Sequence, residues 1–282
     1  MPSNSVDISV AIPDSCLSDE QTLRGKTLKL SQIARASSIF RVKTIYLYQD
    51  MEFNAKKADR KLIKLILRYL DTPQYLRKIL FPQMEELKYA GMLPPIRAPH
   101  HKDWQDVKTV KEGEIRVGVV VSVKGKLFVD MGLGPPIRFD GNAPVGMKLN
   151  LRIKSSFPDL RAEQINEEDI DQYWGFKVSD VKSLHAFLSQ ITDSIVVITS
   201  RRGESLKTKE SRLIRELEFK RAILVVFGSP RRGVHEILSN EGHDSSSYPF
   251  IVNMFPFQGT RTVRLEEAFL GTLAIINYYF YS

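Results

Sequence analysis

The chain has 282 residues, 43% hydrophobic and 26% charged, the composition of an ordinary globular protein long enough for one large domain or two modest ones. Its 41 Lys and Arg against 33 Asp and Glu give a formal charge of +8, spread over many segments, which favours a polyanionic partner. A single cysteine, Cys16, excludes an internal disulfide framework and a cysteine-based zinc site; no apolar run reaches the ~18 residues of a membrane span, and MPSNSVDISV lacks the pattern of a signal peptide, so a reducing, cytoplasmic home is expected.

DISVAIP (7–13) alternates and stops at proline, which predicts a strand. KLSQIARASSIFRV (29–42) has apolar residues at helical spacing, and KTIYLYQD (43–50) predicts a second strand. AKKADRKLIKLILRYLDTP (55–73) is a strongly amphipathic helix closed by Pro73. Strand, helix, strand, helix is the rhythm of a parallel α/β sheet. It breaks in GMLPPIRAPHH (91–101), where His100 and His101 are expected in a solvated, proline-rich loop without the partners of a metal site. Short strand-like runs punctuated by Gly and Pro follow at 113–123, 126–132, 135–141, 148–156 and 160–165. VSVKGKLFVDMG predicts a hairpin turning at Lys124-Gly125, and the whole run a small OB-like β-barrel.

The α/β rhythm then resumes. A strand and loop are predicted over 193–203, strands at 221–230 and 249–256, and helices at 207–220, 231–242 and 262–280. The simplest organisation is one discontinuous α/β domain, 1–90 and 166–282, with a barrel inserted over 91–165. The terminal helix carries Phe269, Leu270, Leu273, Ala274, Ile275, Ile276 and Phe280, too many apolar residues for one face, so a second buried side is expected.

Several chemistries find no support. There is no glycine fingerprint opening a dinucleotide fold and no phosphate loop. Ser229 lacks the strained elbow of a hydrolase nucleophile, and His235 reads as a helix-surface residue. What stands out is a set of three polar loops after apolar strands: TSRRG (199–203), FGSPRRG (227–233) and NMFPFQGTRTVR (253–264). The carboxyl edge of a parallel sheet is where such folds bind ligands, and Gly228, Gly233 and Gly259 allow close backbone approach. Taken singly, each loop is no more than the turn any βα unit requires.

Together they resemble the SPOUT RNA methyltransferases, of the archaeal and eukaryotic branch with an OB-like insertion. The resemblance rests on VVFGSPRRGV and NMFPFQGTRTVRLEEAFLGTLAIIN, with VAIPDS and LSQIARASSIFRVKTIYLY matching that branch's first motif. It implies a deep trefoil knot, a homodimer, and S-adenosylmethionine held by the knot loops. By that resemblance Thr199, Gly228, Ser229, Asn253, Phe255, Gln258, Gly259, Thr260 and Arg261 contact the cofactor. Arg35 matches an arginine that reaches the substrate from the partner subunit; its local reading is a surface arginine paired with a carboxylate. Glu266 and Glu267 read first as acids well placed near a helix N-terminus. Lys124, Lys126, Arg138, Lys148, Arg152 and Lys154 give the barrel a basic surface suited to RNA, or simply a solvated face. The implied function is methyl transfer to RNA, ribosomal in preference to transfer RNA, without metal or membrane. The competing class is a catalytically inactive knotted RNA-binding or ribosome-assembly factor, since no general base is evident.

Overall fold

The structure, a computed structural model, describes residues 6–51 and 57–281. In chain order the elements are β1 (Asp7–Pro13), α1 (Leu23–Ile39), β2 (Val42–Tyr48), α2 (Lys57–Asp71), α3 (Gln74–Leu80), β3 (Ile115–Val123), β4 (Lys126–Asp130), β5 (Ile137–Phe139), β6 (Lys148–Ser155), β7 (Arg161–Gln164), β8 (Lys177–Val181), α4 (Leu184–Leu188), β9 (Ile195–Ser205), α5 (Leu206–Lys220), β10 (Ala222–Val226), α6 (Val234–Asn240), β11 (Phe250–Asn253) and α7 (Leu265–Tyr281). The chain divides into two compact units. One comprises the chain up to Arg68, Glu86–Pro94 and the chain from Phe176; the other comprises Tyr69–Glu85 and Pro95–Gly175. No helix among the described residues is long and apolar enough to cross a membrane.

The first unit is built on a six-stranded sheet in the order β11-β9-β10-β1-β2-β8, every pair parallel. Its central strands read as near-continuous apolar runs because helices cover both faces: Val10, Ala11, Ile12, Val225 and Val226 are all fully buried. α1 begins at Leu23, earlier than its apolar spacing indicates, because Thr22 Oγ1 accepts the Gly25 N–H at 3.0 Å and caps the first turn. The start of the helix expected over 55–73 falls at 55 and 56, outside the described residues. β8 and α4 come from a stretch in which the sequence shows no element.

α1 and α7 are tied by a buried lysine. Lys29, with its side chain 1% exposed, reaches Asp19 at 2.6 Å and forms an ion pair with Glu266 at 3.0 Å, at an angle that makes no hydrogen bond. On α7, Phe269, Leu273 and Ile276 face the core, while Leu270 and Tyr278 are exposed. The second buried side expected for this helix is not supplied within the chain: its outer apolar residues lie in solvent.

The second unit contains the expected small barrel. Five strands close in the order β3-β4-β5-β7-β6, with β5 and β7 parallel and β6 returning to β3. Val120, Val129, Leu151, Ile153 and Ala162 fill it. The hairpin turns at Lys124-Gly125, whose φ angles of 50° and 75° give the turn the twist that β3 and β4 need. This unit takes in more chain than 91–165. The Tyr75 hydroxyl donates to the Val117 carbonyl at 2.7 Å, Leu76 of α3 packs on Val117 and Val119, and Trp174 Nε1 donates to Asn150 at 2.9 Å.

His100 corrects the sequence reading. It is 1% exposed, not solvated, and its Nε2 lies 2.9 Å from the Asp71 carbonyl and 3.2 Å from the Asp71 carboxylate. His101 Nε2–H donates to the Leu70 carbonyl at 3.0 Å, and burial pushes its pKa down to about 3. The pair plugs the end of α2 by bonding carbonyls that the helix itself leaves unsatisfied.

Candidate functional site

β9, β10 and β11 run parallel and deliver their carboxyl ends to one edge of the sheet. There the three polar segments meet around a cleft of about 320 Å3, with Leu265, Ala268 and Thr272 of α7 also on its walls. That volume lies at the lower end of the range for small-molecule sites.

The first segment is an excursion within a strand. The β9–β11 register jumps from Ile198–Ile251 to Glu204–Val252, so 199–203 loops out between paired stretches. Gly203 sits where a Cβ would lie 2.7 Å from the Ile251 carbonyl oxygen, so a side chain there would part the two strands.

The second segment is a locked turn. Ser229 N–H donates to the Arg232 carbonyl at 2.8 Å, and Arg232 N–H to Ser229 Oγ at 2.9 Å. Gly228 has no room for a side chain, because a Cβ would meet the Arg232 carbonyl oxygen at 2.7 Å. The turn is braced from the sheet. Arg232 Nη2 donates to Asp50 at 2.6 Å, Ser15 Oγ donates to the same carboxylate at 2.7 Å, and the Tyr48 hydroxyl donates to the Phe227 carbonyl at 2.7 Å. Burial pushes the Tyr48 phenol well above its ordinary value, so it remains a donor. Behind it, Asp14 accepts from the Asp50 N–H at 3.0 Å and from Arg60 at 2.8 Å. Burial nonetheless raises the Asp14 carboxyl above its usual range, against the pull of those two donors.

The third segment is stitched to the first. Asn253 Oδ1 accepts the Phe255 N–H at 2.9 Å, Asn253 Nδ2 donates to the Arg201 carbonyl at 3.0 Å, and Arg201 Nη1 donates to the Arg261 carbonyl at 2.9 Å. The Phe255 ring lies over Gly271 of α7, where a Cβ would stand 2.6 Å from it. At the C-terminal end of this segment Glu267 accepts the Arg264 N–H at 2.8 Å, the helix-start role read from its position.

Of the residues singled out in the sequence, Thr199, Gly228, Ser229, Asn253, Phe255 and Gln258 line this cleft together. Gly259, Thr260 and Arg261 are exposed on the same loop without lining it, and Arg35 is exposed on α1, away from its own chain's cleft. On the barrel, Lys124, Lys126, Arg138, Lys148 and Lys154 are exposed and Arg152 is half-buried. Lys154 meets Glu163 at 3.3 Å, an exposed pair of the kind that contributes little, and Lys148 meets the buried Asp71 at 3.8 Å.

A family described as "Putative RNA methyltransferase" matches residues 7–276, nearly the whole chain and all three segments of the cleft. The chain belongs to this family. The methyltransferase is 30% identical to a human 28S rRNA (uridine-N(3))-methyltransferase over 96% of this chain and 77% of that protein. It is 32% identical to an uncharacterised protein of Halobacterium salinarum, over 95% of this chain and 98% of the other. A Drosophila melanogaster protein, also a 28S rRNA (uridine-N(3))-methyltransferase, is 27% identical over 97% of this chain and 62% of its own.

Sequence reasoning missed several residues of the cleft. Arg202, His235, Glu236 and Thr272 all line the cleft. His235 is exposed, as its helical position indicated, and its Nδ1 lies 2.7 Å from the buried Ser245 hydroxyl. The bracing group of Asp14, Ser15, Asp50, Arg60 and Arg232 also went unread. Its signal was present in PDS and QD, each with one acidic residue at the end of an apolar strand.

Proposed function

We propose that this methyltransferase is a SPOUT enzyme that moves the methyl group of S-adenosylmethionine to N3 of a uridine in ribosomal RNA. The observation that carries the reading is the cleft made by three segments of one sheet edge, in a chain whose relatives include 28S rRNA (uridine-N(3))-methyltransferases.

The residues present fit the cofactor. Gly228 keeps a stretch of backbone bare, the cleft mixes apolar and polar walls, and the buried Thr272 hydroxyl on its lining has no hydrogen-bond partner among the described residues. S-adenosylmethionine, when bound, supplies a methyl group already activated on a sulfonium sulfur. The chain has then chiefly to position the target nitrogen in line with it. In this reading Gly228, Ser229, Asn253, Phe255 and Gln258 hold the cofactor, Thr199 secures the wall by donating to the Val226 carbonyl at 2.9 Å, and Gly259, Thr260 and Arg261 close over it. In this reading the trefoil knot falls in the order β11-β9-β10-β1, where 199–203 loops out and 253–264 is stitched to it.

The reading includes a homodimer. Leu28 and Ile39 of α1 are 42% and 55% exposed, and Leu270 and Tyr278 of α7 are 49% and 71% exposed. Covering these faces across a two-fold axis would bury them and bring Arg35 of the partner subunit toward the cleft. That guanidinium would stabilise the charge left on the base as its proton departs. The barrel, read as OB-like, would hold RNA backbone through Lys124, Lys126, Arg138, Lys148, Arg152 and Lys154.

Calorimetry with S-adenosylmethionine or S-adenosylhomocysteine, followed by transfer of labelled methyl to ribosomal RNA, tests the reading. Arg35→Ala is expected to abolish transfer and leave cofactor binding intact. Absence of cofactor binding overturns the cofactor assignment, and a stable monomer in light scattering at micromolar concentration overturns the dimer.

A further inference from the structure

We infer that the lip of the cleft is a capture site for one unpaired nucleobase, with Phe257 as the stacking platform and Arg202 and Arg231 as phosphate contacts; this rests on the RNA methyltransferase reading above. Phe257 is 104% exposed, and its backbone sits at φ 62°. Left-handed geometry is uncommon for any residue but glycine and is unfavourable for one with a bulky side chain. The loop imposes it. Phe255 N–H is fixed on Asn253 at 2.9 Å and Gln258 Nε2 on the Thr260 carbonyl at 2.9 Å, so bonds on both sides hold the turn that throws the ring into water. Backbone strain maintained beside a binding cleft points to a use for the strained side chain.

What the ring meets is argued from its neighbours. Phe255 and Gln258 line the cleft, so Phe257 stands at its lip. Arg202, on the excursion of β9, is exposed, lines the cleft, and its guanidinium has no ion pair or hydrogen bond among the described residues. Arg231 is exposed on the second wall of the same cleft. An exposed aromatic ring beside a cleft that carries exposed guanidinium groups suits single-stranded nucleic acid: the ring stacks on a base of any identity and the cations take the flanking phosphates. A protein partner would call for apolar neighbours around the ring. Gly259, Thr260 and Arg261 follow it, all exposed; on the other side Pro256 lines an apolar recess with Ile275, Tyr278 and Tyr279 of α7, so a subunit contact is the alternative the test below separates.

The test uses the full chain, a short uridine-rich single-stranded RNA read by fluorescence anisotropy, and S-adenosylhomocysteine read by calorimetry. Phe257→Ala is expected to weaken RNA binding roughly 5- to 150-fold, the usual loss for one stacked base, with cofactor affinity unchanged. Phe257→Trp is expected to restore it. Arg202→Ala is expected to lower the slope of log affinity against log salt by about one. Unchanged RNA affinity in Phe257→Ala overturns the inference while leaving the methyltransferase reading in place. Weakened RNA binding accompanied by dissociation of the dimer in light scattering assigns Phe257 to a subunit contact and also overturns it. A wild-type protein that binds neither probe removes the underlying reading.

Discussion

Replacing Gly228 by alanine tests whether the second segment is the rigid cradle described here. A Cβ at that position would stand 2.7 Å from the Arg232 carbonyl oxygen, 3.0 Å from Gly233 Cα and 3.0 Å from Val234 N. All three obstacles are backbone, so no side chain can swing aside. Nor can the backbone yield cheaply. The Arg232 carbonyl accepts from Ser229 N–H at 2.8 Å, the Arg232 guanidinium is fixed on Asp50 at 2.6 Å, and Gly233 N–H donates to Glu236 at 3.1 Å. Overpacking of this kind typically costs about 1–3 kcal/mol. If the strain falls on the fold, the melting temperature drops by roughly 2–4 °C per kcal/mol; if it falls on the bound state, each ~1.4 kcal/mol is a tenfold loss of cofactor affinity. Thermal denaturation and calorimetry with S-adenosylhomocysteine, run on the same variant, apportion it. Gly259→Ala is the control for stability: a Cβ there meets nothing within 4 Å, so its melting temperature should match the wild type. Unchanged melting temperature together with unchanged affinity in Gly228→Ala would refute the argument, because residues 232–234 would then be free to shift.

Lys29→Met removes the cation that pairs Asp19 with the buried Glu266, leaving that carboxylate only the exposed Arg264 at 3.9 Å, and should destabilise the protein in chemical denaturation by up to the roughly 3–5 kcal/mol of a fully unpaired buried charge. Phe257→Gly should do the reverse, raising stability by about 0.5–1 kcal/mol as relief of the left-handed backbone outweighs added freedom of the unfolded chain. Acid sensitivity is expected from His101. Its pKa is depressed to about 3 when folded, against 6.5 when exposed, so the unfolded chain binds the extra proton and stability falls as pH drops from about 6.5 towards 3. Denaturant titrations across that window should show a shallower pH dependence in His101→Gln, whose amide can still donate to the Leu70 carbonyl.

The parts of the fold legible in the sequence are those whose pattern is local. β1 alternates before its apolar Val10–Ile12 and stops at Pro13, β2 carries the run Ile45–Tyr48, α2 has a clean amphipathic stripe, and the barrel strands are bounded by glycines and prolines. What escaped is held by distant partners. β8 is an edge strand with little buried side chain; Asp180 within it is fixed by Lys64 at 2.6 Å and Arg60 at 2.9 Å, contacts that no short window contains. His100 reads as linker until Asp71 is placed against it. In the cleft, loop position and glycine content pointed to Gly228, while Ser229 and Asn253 were reached only through the family resemblance. Thr272 and Arg202 were invisible because a lone threonine inside an apolar helix and one arginine among many carry no signal until the chain has folded around them.

The placement of β1 beside β10 has a consequence for the order in which this protein acquires structure. Asp7 is paired with Ala222, so the middle of the sheet joins strands from opposite ends of the chain. During synthesis, β1 and β2 leave the ribosome with one flank of β1 unfilled, and β10 follows only after the entire second unit. The barrel strands all lie between Ile115 and Gln164 and find their partners locally. Local pairings form fast, whereas those closing long stretches of chain are slow. The barrel should therefore mature while the sheet is still half-built, leaving an apolar β1 edge exposed for that interval. A ribosome stalled before residue 222 would display that edge, a natural place for a chaperone to bind.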